Sequence, residues 1–394
     1  MRREAQVAGE KGDARYLTTA QVASRLDIKP ATVYAYVSRG LLTKVASNDR
    51  RGSLFREDEV AKLARRQRRA HSGGGTVEGT STAVSHVAAD RLYYRGHEVA
   101  DLVGRYSAES VAGLLWTGEP APQRPGAPPE VLTAVRAAVG ALGDGARLTD
   151  RMRVAVTVAA ASDPLRFDLS TEGVLRTARV LLAVETSCLA PDSVTEATLA
   201  RRLWPSLTAA PTHADLLDAV LVLLADHGLA VSTVAARVAA SARVHPYGVV
   251  SAGLGALDSQ YHGAASTVAY RFLAEAIADP VGAVSERLRL GGPLPGFGHL
   301  IYRDRDHRAE LLLRLLRAVP GAAPALAAID VITARVGKPA TAVPNVDLAL
   351  AVLMHAFAMR PDAGEAIFAV ARTIGWIAHT LEEYGEAPLR FRPI

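Results

Sequence analysis

Four short stretches carry residue types that can move protons and hold charge, in a chain otherwise rich in Ala, Val and Leu. They are Ala225-Asp226-His227-Gly228, Tyr261-His262-Gly263, Pro295-Gly296-Phe297-Gly298-His299 with Arg303 and Arg308 downstream, and Pro344-Asn345-Val346-Asp347. Arg372, in ARTIGWIAH, and the C-terminal Arg390 and Arg392 add guanidinium groups. Gly263 allows close backbone approach beside His262, and Gly296 and Gly298 flank a turn that presents His299. Pro344 and Asn345 set Asp347 at a helix start, where the helix dipole favours an ionised carboxylate. Two neutral imidazoles and a carboxylate form a proton-transfer set. Dispersed arginines suit a multiply charged carboxylate substrate, because guanidinium forks grip carboxylates bidentately. Each residue also has an ordinary role open to it, as a satisfied core histidine or an aspartate that only caps a helix. His71, His86, His213 and His355 read only that way, and Cys188, without a charged neighbour in sequence, reads as packing.

The elements that must position these groups are mostly helical. The chain has 394 residues, 49% hydrophobic, 22% charged and only 5% aromatic. That is enough for two or three domains with ample core, and it excludes a disordered chain. Apolar residues recur at three- and four-residue spacing over Glu130–Leu142, Glu172–Thr186, Ala214–Ala225, Ser232–Ala242, Thr267–Ala278, Arg308–Val319 and Glu365–Glu383. Arg91–Arg95 is the best strand candidate. The single cysteine excludes an intramolecular disulfide and any multi-cysteine metal or iron–sulfur site within one chain. No metal site and no resident cofactor are expected. The N-terminus lacks the apolar stretch of a signal peptide, and the longest apolar run, Ala219–Ala225, is too short to span a bilayer. The expected location is the cytoplasm, without a membrane partner.

Charge divides the chain. Residues 1–70 hold 16 Lys and Arg against 8 Asp and Glu, a balance of +8, and the remainder balances at −3. A basic head on a mildly acidic body suits a polyanion-binding head. Residues 1–15 are expected to be disordered, and residues 71–83, HSGGGTVEGTSTA, to form a flexible linker. Between them, Thr18 and Thr19 can cap a helix with Val22, Ala23 and Leu26 on one face. A second helix starts at Pro30 and stops at Gly40. Leu41–Lys44 and Ser53–Arg56 can pair as a small wing, followed by a helix from Glu57. The run YLTTAQVASRLDIKPATVYAYVSRGLL…RRGSLFREDEVAKL resembles the winged helix-turn-helix of the MerR/excisionase type over residues 16–70. That resemblance implies DNA as a partner, with Thr32, Tyr34 and Arg39 on the recognition helix and Arg50 and Arg51 at the wing tip, on phosphates. A protein-interaction module of the same shape is the alternative.

Residues 84–394 resemble the citrate synthase family. DRLYYRGHEVADLV, ADHGLAVSTVAARVAAS, DSQYHGAAS, GPLPGFGHLIYRDRDHR, PNVDLAL and FAVARTIGWIAHTLEEYGEAPLRFRP follow in the family's order and spacing. The resemblance implies an all-α fold. A large and a smaller helical domain (the smaller about 260–350) would close over a cleft, usually in a homodimer. It implies citrate synthesis from acetyl-CoA and oxaloacetate, with acetyl-CoA as co-substrate. By matching motif, His262 would hydrogen-bond the acetyl thioester carbonyl, and Asp347 would remove the methyl proton. His299 would polarise the oxaloacetate ketone and His227 would bind oxaloacetate. Arg308, Arg372 and Arg392 would grip its carboxylates, Arg392 from the partner subunit. Arg303 and the Leu294, Pro295, Gly296, Phe297 and Gly298 backbone would hold coenzyme A.

The chain departs from that pattern at several points. HGGAN reads HGAAS, with Ala264 and Ser266; DPR reads DHR, with His307; DHE reads DHG, with Gly228; and the chain stops two residues after Arg392. These changes touch the surroundings of the reacting groups, not the groups themselves, and bear on substrate choice and rate. Two alternatives stay open: a 2-methylcitrate synthase using propionyl-CoA, and a catalytically weak ligand-sensing dimer that controls transcription through the head.

Overall fold

The computed structural model describes residues 16–26, 33, 36–37, 42–45, 53–57, 59–60, 80–189, 197–260, 262–302, 304–336 and 343–392. The chain divides into two units, residues 1–80 with 390–394, and residues 81–389.

In the first unit, β1 (Tyr16–Thr18), β2 (Lys44–Val45) and β3 (Leu54–Arg56) form an antiparallel sheet in the order β1-β3-β2. The β2–β3 pair is the expected wing. β1 has no counterpart in the sequence reading, because three residues are too few to show alternation. α1 (Thr19–Leu26) begins at a capping box. The Gln21 N–H donates to Thr18 Oγ1 at 3.4 Å, and the Thr18 N–H donates to Gln21 Oε1 at 2.9 Å. Val22, Ala23, Val33, Leu42, Phe55 and Val60 make the buried core of this unit. The DNA-contact candidates Thr32, Tyr34, Arg39, Arg50 and Arg51, and residues 1–15, lie outside the described residues.

The second unit opens with a three-stranded antiparallel sheet, β4 (Ser85–Ala88), β5 (Arg91–Tyr94) and β6 (His97–Glu98). Helices then follow: α2 (Val99–Leu102), α3 (Ala108–Thr117), α4 (Pro129–Gly140), α5 (Leu148–Ser162), α6 (Thr171–Ser187), α7 (Leu199–Leu207), α8 (Ala214–Leu224) and α9 (Val231–Ser241). The chain continues through α10 (Pro246–Leu257), α11 (Ala264–Ala278), α12 (Pro280–Arg289), α13 (His307–Leu316), α14 (Ala323–Val336), α15 (Val346–Ala356) and α16 (Ala363–Tyr384). Side chains of Ser107, Ser170, Thr198, Asp279 and Asn345 cap five of these helices, each satisfying an otherwise orphaned N–H.

α16 is the axis of the unit. Residues on all of its faces are buried, as expected of a helix apolar all round, and α3, α5, α6, α8, α9, α10, α11 and α15 pack against it. Arg372 and His379 are therefore carried into the interior of this unit. No single helix among the described residues is long and apolar enough to cross a membrane.

One boundary differs from the sequence reading. Thr82 and Ala83, placed in the linker by composition, belong to this unit: the Ala83 N–H donates to Glu382 Oε1 at 2.8 Å, and Thr82 Oγ1 lies 3.4 Å from His379 Nδ1. Composition reports local flexibility and is blind to a partner almost 300 residues away. Of the histidines read as structural, His86 and His213 are exposed and His355 is half-buried, and each rests against an aromatic ring. His86 stacks on Tyr93, His213 sits against Trp204 and Phe357, and His355 stacks on Tyr270.

Candidate active site

Two of the flagged motifs are hydrogen-bonded to each other. The Gly298 N–H donates to Val343 O at 2.8 Å, the Asn345 N–H to Gly296 O at 2.9 Å, and Asn345 Nδ2 to Gly298 O at 2.9 Å. Gly296 and Gly298 have φ of +80° and +77°. At Gly296 a Cβ would also meet Leu348 Cβ at 2.7 Å, so the turn presses onto the first turn of α15. Asn345 Oδ1 accepts from the N–H groups of Asp347 (3.0 Å) and Leu348 (3.3 Å), starting that helix. The turn presenting His299 and the helix end presenting Asp347 are thereby one piece.

His299 Nδ1 accepts the backbone N–H of Ile301 at 3.0 Å and that of Tyr302 at 3.4 Å. An imidazole nitrogen that accepts carries no proton, so the shorter contact, 3.0 Å to Nδ1, puts the neutral ring's proton on Nε2, with the donor-only Arg308 Nη2 at a longer 3.4 Å from that nitrogen. Burial and the Arg308 guanidinium 3.4 Å away push its pKa down to about 4, which keeps it neutral. Arg308 is itself held in a fork: its Nε and Nη2 donate to Asp306 at 3.0 and 2.8 Å. Asp306 also accepts from the N–H groups of Arg308 and Val346, so this buried carboxylate joins the starts of α13 and α15. His307 replaces a proline at that point without breaking the turn; its Nδ1 lies 3.3 Å from Glu310 Oε2.

His262 stands in the turn between α10 and α11. The Gly263 N–H donates to Leu257 O at 2.9 Å, and a Cβ on Gly263 would meet that oxygen at 2.3 Å, the close approach expected of this glycine. Ser232 Oγ lies 2.8 Å from His262 Nε2. The hydroxyl has no other partner among the described residues; with it donating into Nε2, the ring proton sits on Nδ1. Burial and Arg372 push this imidazole down to about 4 as well.

The His227 loop is pinned from behind. Asp226 is fully buried, and its carboxylate takes the Ser85 hydroxyl, the Gly228 N–H at 3.0 Å and His379 Nε2 at 3.3 Å. Burial works against its charge, but His379, Arg372 and Ser85 together hold its carboxyl below the ordinary range. Gly228 adopts φ +60°, which accounts for a glycine here. Gly375 on α16 makes room for the loop, since a Cβ there would meet Asp226 Oδ1 at 2.4 Å. His227 Nε2 lies 2.9 Å from Tyr302 Oη, and its ring packs edge-on against His299 with centroids 5.4 Å apart. Burial, Arg308 and Arg372 keep it uncharged well below its usual pKa.

Asp347 is the carboxylate that faces Arg308 and Arg372 electrostatically. Burial raises its pKa to about 6, opposed by Arg308 and Arg372 and reinforced by the negative charge of Asp306. Arg372 is 1% exposed, its guanidinium lies 4.7 Å from the centroid of the Phe368 ring, and its Nε and Nη1 have no hydrogen-bond partner among the described residues. Leaving charged donors unpaired in a core is costly, and an anion received there would offset that cost.

His227, His262, His299, Asp347, Arg308 and Arg372 thus fall into one electrostatically coupled group. The turn Leu294–Gly298 adjoins it. Arg303 lies outside the described residues, and Arg392 is exposed and belongs to the other unit. The sequence reading missed Asp306, Tyr302, Ser232, Ser85 and His379. Asp306 had a usable signal, an acid two residues before a flagged arginine; the others had none.

The family model for "Citrate synthase, C-terminal domain" matches residues 74–394, and that for "Helix-turn-helix domain" matches residues 16–68. A 2-methylcitrate synthase from Mycobacterium tuberculosis is 28% identical over 340 residues, covering 77% of this chain and 84% of that one. A citrate synthase from Mycolicibacterium smegmatis is 27% identical over 363 residues, covering 83% and 94%. The ternary complex of a Thermoplasma acidophilum citrate synthase with carboxymethyl coenzyme A and oxaloacetate has the same fold. It aligns with a TM-score of 0.64 at 21% identity, over 80% of this chain and 92% of that one.

Proposed function

This chain belongs to the citrate synthase family and is an acyltransferase of that type with a helix-turn-helix domain at its N-terminus, and we propose that it condenses acetyl-CoA with oxaloacetate and hydrolyses citryl-CoA to citrate and CoA. The observation that carries the reading is Arg372, a buried guanidinium with two unpaired donors, set among uncharged imidazoles and one carboxylate. A small dicarboxylate supplies what those donors lack.

An acetyl thioester methyl is a very weak acid and a carboxylate a weak base, so deprotonation is far uphill unless the enolate oxygen meets a donor. His262 supplies that donor from Nδ1 while Asp347 takes the methyl proton. The enol carbon then bonds to the ketone carbon of oxaloacetate, and His299 Nε2–H stabilises the oxygen that becomes an alkoxide. His227, Arg308 and Arg372 hold the keto acid. Water then cleaves the citryl thioester, releasing CoA as the leaving group. Leu294–Gly298 and Arg303 hold coenzyme A, and Arg392 reaches a carboxylate from the partner copy of a homodimer. Acetyl-CoA acts as co-substrate, with no resident cofactor in the scheme. The segment of about 260–350 closes on the rest to exclude water until condensation is complete.

The M. tuberculosis relative favours a second reading, propionyl-CoA as donor and 2-methylcitrate as product. Thiol release from acetyl-CoA or propionyl-CoA with oxaloacetate decides between them. The expected result is a higher kcat/KM with acetyl-CoA. A preference for propionyl-CoA selects the second reading, and no release from either rejects both.

For the head we propose duplex DNA as the partner, on the basic balance of residues 1–70 and the helix-turn-helix match. Affinity is expected to fall steeply between about 50 and 200 mM salt, as counterion release requires. Titration of fluorescent duplexes across that range measures the slope. Absent or salt-independent binding removes DNA as the partner.

A further inference from the structure

Tyr302 touches three of the groups assigned to the keto acid. Its hydroxyl lies 2.9 Å from His227 Nε2, its backbone N–H donates to His299 Nδ1 at 3.4 Å, and the Arg308 guanidinium lies 5.2 Å from the centroid of its ring. The His299 and Tyr302 rings have centroids 4.7 Å apart, and Tyr302 is 4% exposed. Nothing in the reaction scheme above uses its hydroxyl.

We propose that Tyr302 is a positioning residue for keto-acid binding, fixing the tautomer of His227 by donating its hydroxyl proton to Nε2. Among the described residues, Nε2 is the only hydrogen-bond partner of that hydroxyl. In the ligand-free protein either polarity leaves one donor unpaired, the phenolic O–H or the Nδ1–H; with an oxygen of the bound acid at Nδ1, only donation from the hydroxyl pairs both. Burial keeps the phenol protonated, with its pKa raised to about 12. With Nε2 occupied as acceptor, a neutral His227 carries its proton on Nδ1, which has no protein partner among the described residues. His227 is then a ready N–H donor for an oxygen of the bound acid. His262 is arranged the same way, with Ser232 filling Nε2, and His299 is its mirror case, with backbone N–H groups filling Nδ1. His227 and His262 thus each have Nε2 met by a hydroxyl and Nδ1 without a protein partner among the described residues, whereas at His299 the second nitrogen has Arg308 Nη2 3.4 Å away.

The inference rests on the proposed reaction for its kinetic consequence, not for its structural one. Tyr302→Phe keeps the ring, its contact with Arg308 and its backbone N–H, and removes only the hydroxyl. In the full-length protein labelled with ¹⁵N-histidine, the His227 signals of the wild type are expected to be those of the Nδ1–H form. In Tyr302→Phe they shift towards a mixture of tautomers. Kinetically, KM for oxaloacetate rises roughly tenfold, the size of one hydrogen bond. KM for acetyl-CoA and kcat at saturation stay near wild type. Unchanged His227 signals in the variant overturn the inference, as does a rise in both KM values with a lowered ligand-free Tm, which marks a purely structural tyrosine. If the tautomer shifts while the wild type releases no CoA, the inference stands and the proposed reaction falls.

Discussion

Replacement of Asp347 by asparagine is expected to lower kcat by ~10²–10⁴-fold, the usual cost of losing a positioned general base. The amide keeps the shape and the helix start made by Asn345 but cannot take a proton. The loss differs from that of a damaged fold in two ways. The first is stability. The folded pKa of this carboxyl, about 6, lies above its ordinary 3.8, so its stabilising contribution is full below 3.8 and is lost as pH rises through 6. At pH 7.5 the wild type therefore carries a destabilising charge that the variant lacks. The Tm of Asp347→Asn is expected to equal or exceed that of the wild type, with the difference closing towards pH 5. The second is the pH profile. Wild-type kcat/KM is expected to fall below about pH 6 as Asp347 is protonated, and more steeply near pH 4, where His262 and His299 gain protons. The limb near 6 disappears in the variant's residual activity. Paired initial rates and thermal melts from pH 4.5 to 8 make the comparison. A variant with more than a tenth of wild-type kcat, or one that keeps the limb near 6, would show that another group is the base.

How much of this was legible in the sequence depended on whether the signal was local. Glu172–Thr186 became α6 (Thr171–Ser187), and Arg91–Arg95 became β5, because three- and four-residue periodicity and short alternation are properties of neighbouring residues. α10 gave no such signal, because Gly248, Gly253 and Gly255 dilute its apolar pattern. At Gly253 the reason lies more than 100 residues away: a Cβ would meet the Trp376 ring at 2.7 Å. The reacting groups were legible because His, Asp and Arg beside Gly or Pro are uncommon in an Ala/Leu-rich helical chain. Their supports were not. Ser232, Ser85 and Tyr302 are ordinary residues whose importance is a matter of which nitrogen or carboxylate they meet, and Ser85 and Asp226 are 141 residues apart. His379 read as one more residue of an apolar helix, though it backs the charge of Asp226.

Arg372→Leu separates a substrate-binding guanidinium from a structural one by the sign of its effect on stability. A buried arginine that belongs to a structural ion pair leaves an uncompensated charge when it is removed, and the fold loses several kcal/mol. Arg372 has no such pair among the described residues: Nε and Nη1 are unpartnered there, and burial pulls its pKa down, so the folded protein already bears a cost to hold this cation. Asp226, its nearest acidic influence, keeps Ser85, Gly228 and His379 when the guanidinium is gone. The ligand-free Tm of Arg372→Leu is therefore expected to match or exceed that of the wild type. Binding moves the other way. Two charge-assisted hydrogen bonds at about 1.5–3 kcal/mol each correspond to roughly 10²–10⁴-fold weaker binding of oxaloacetate. Millimolar oxaloacetate should raise the wild-type Tm and leave the variant's unmoved, since ligand stabilisation follows RT ln(1 + [L]/Kd). Should the variant melt well below the wild type yet keep its response to oxaloacetate, Arg372 would be a piece of the core, and the argument that an anion completes this site would fail with it.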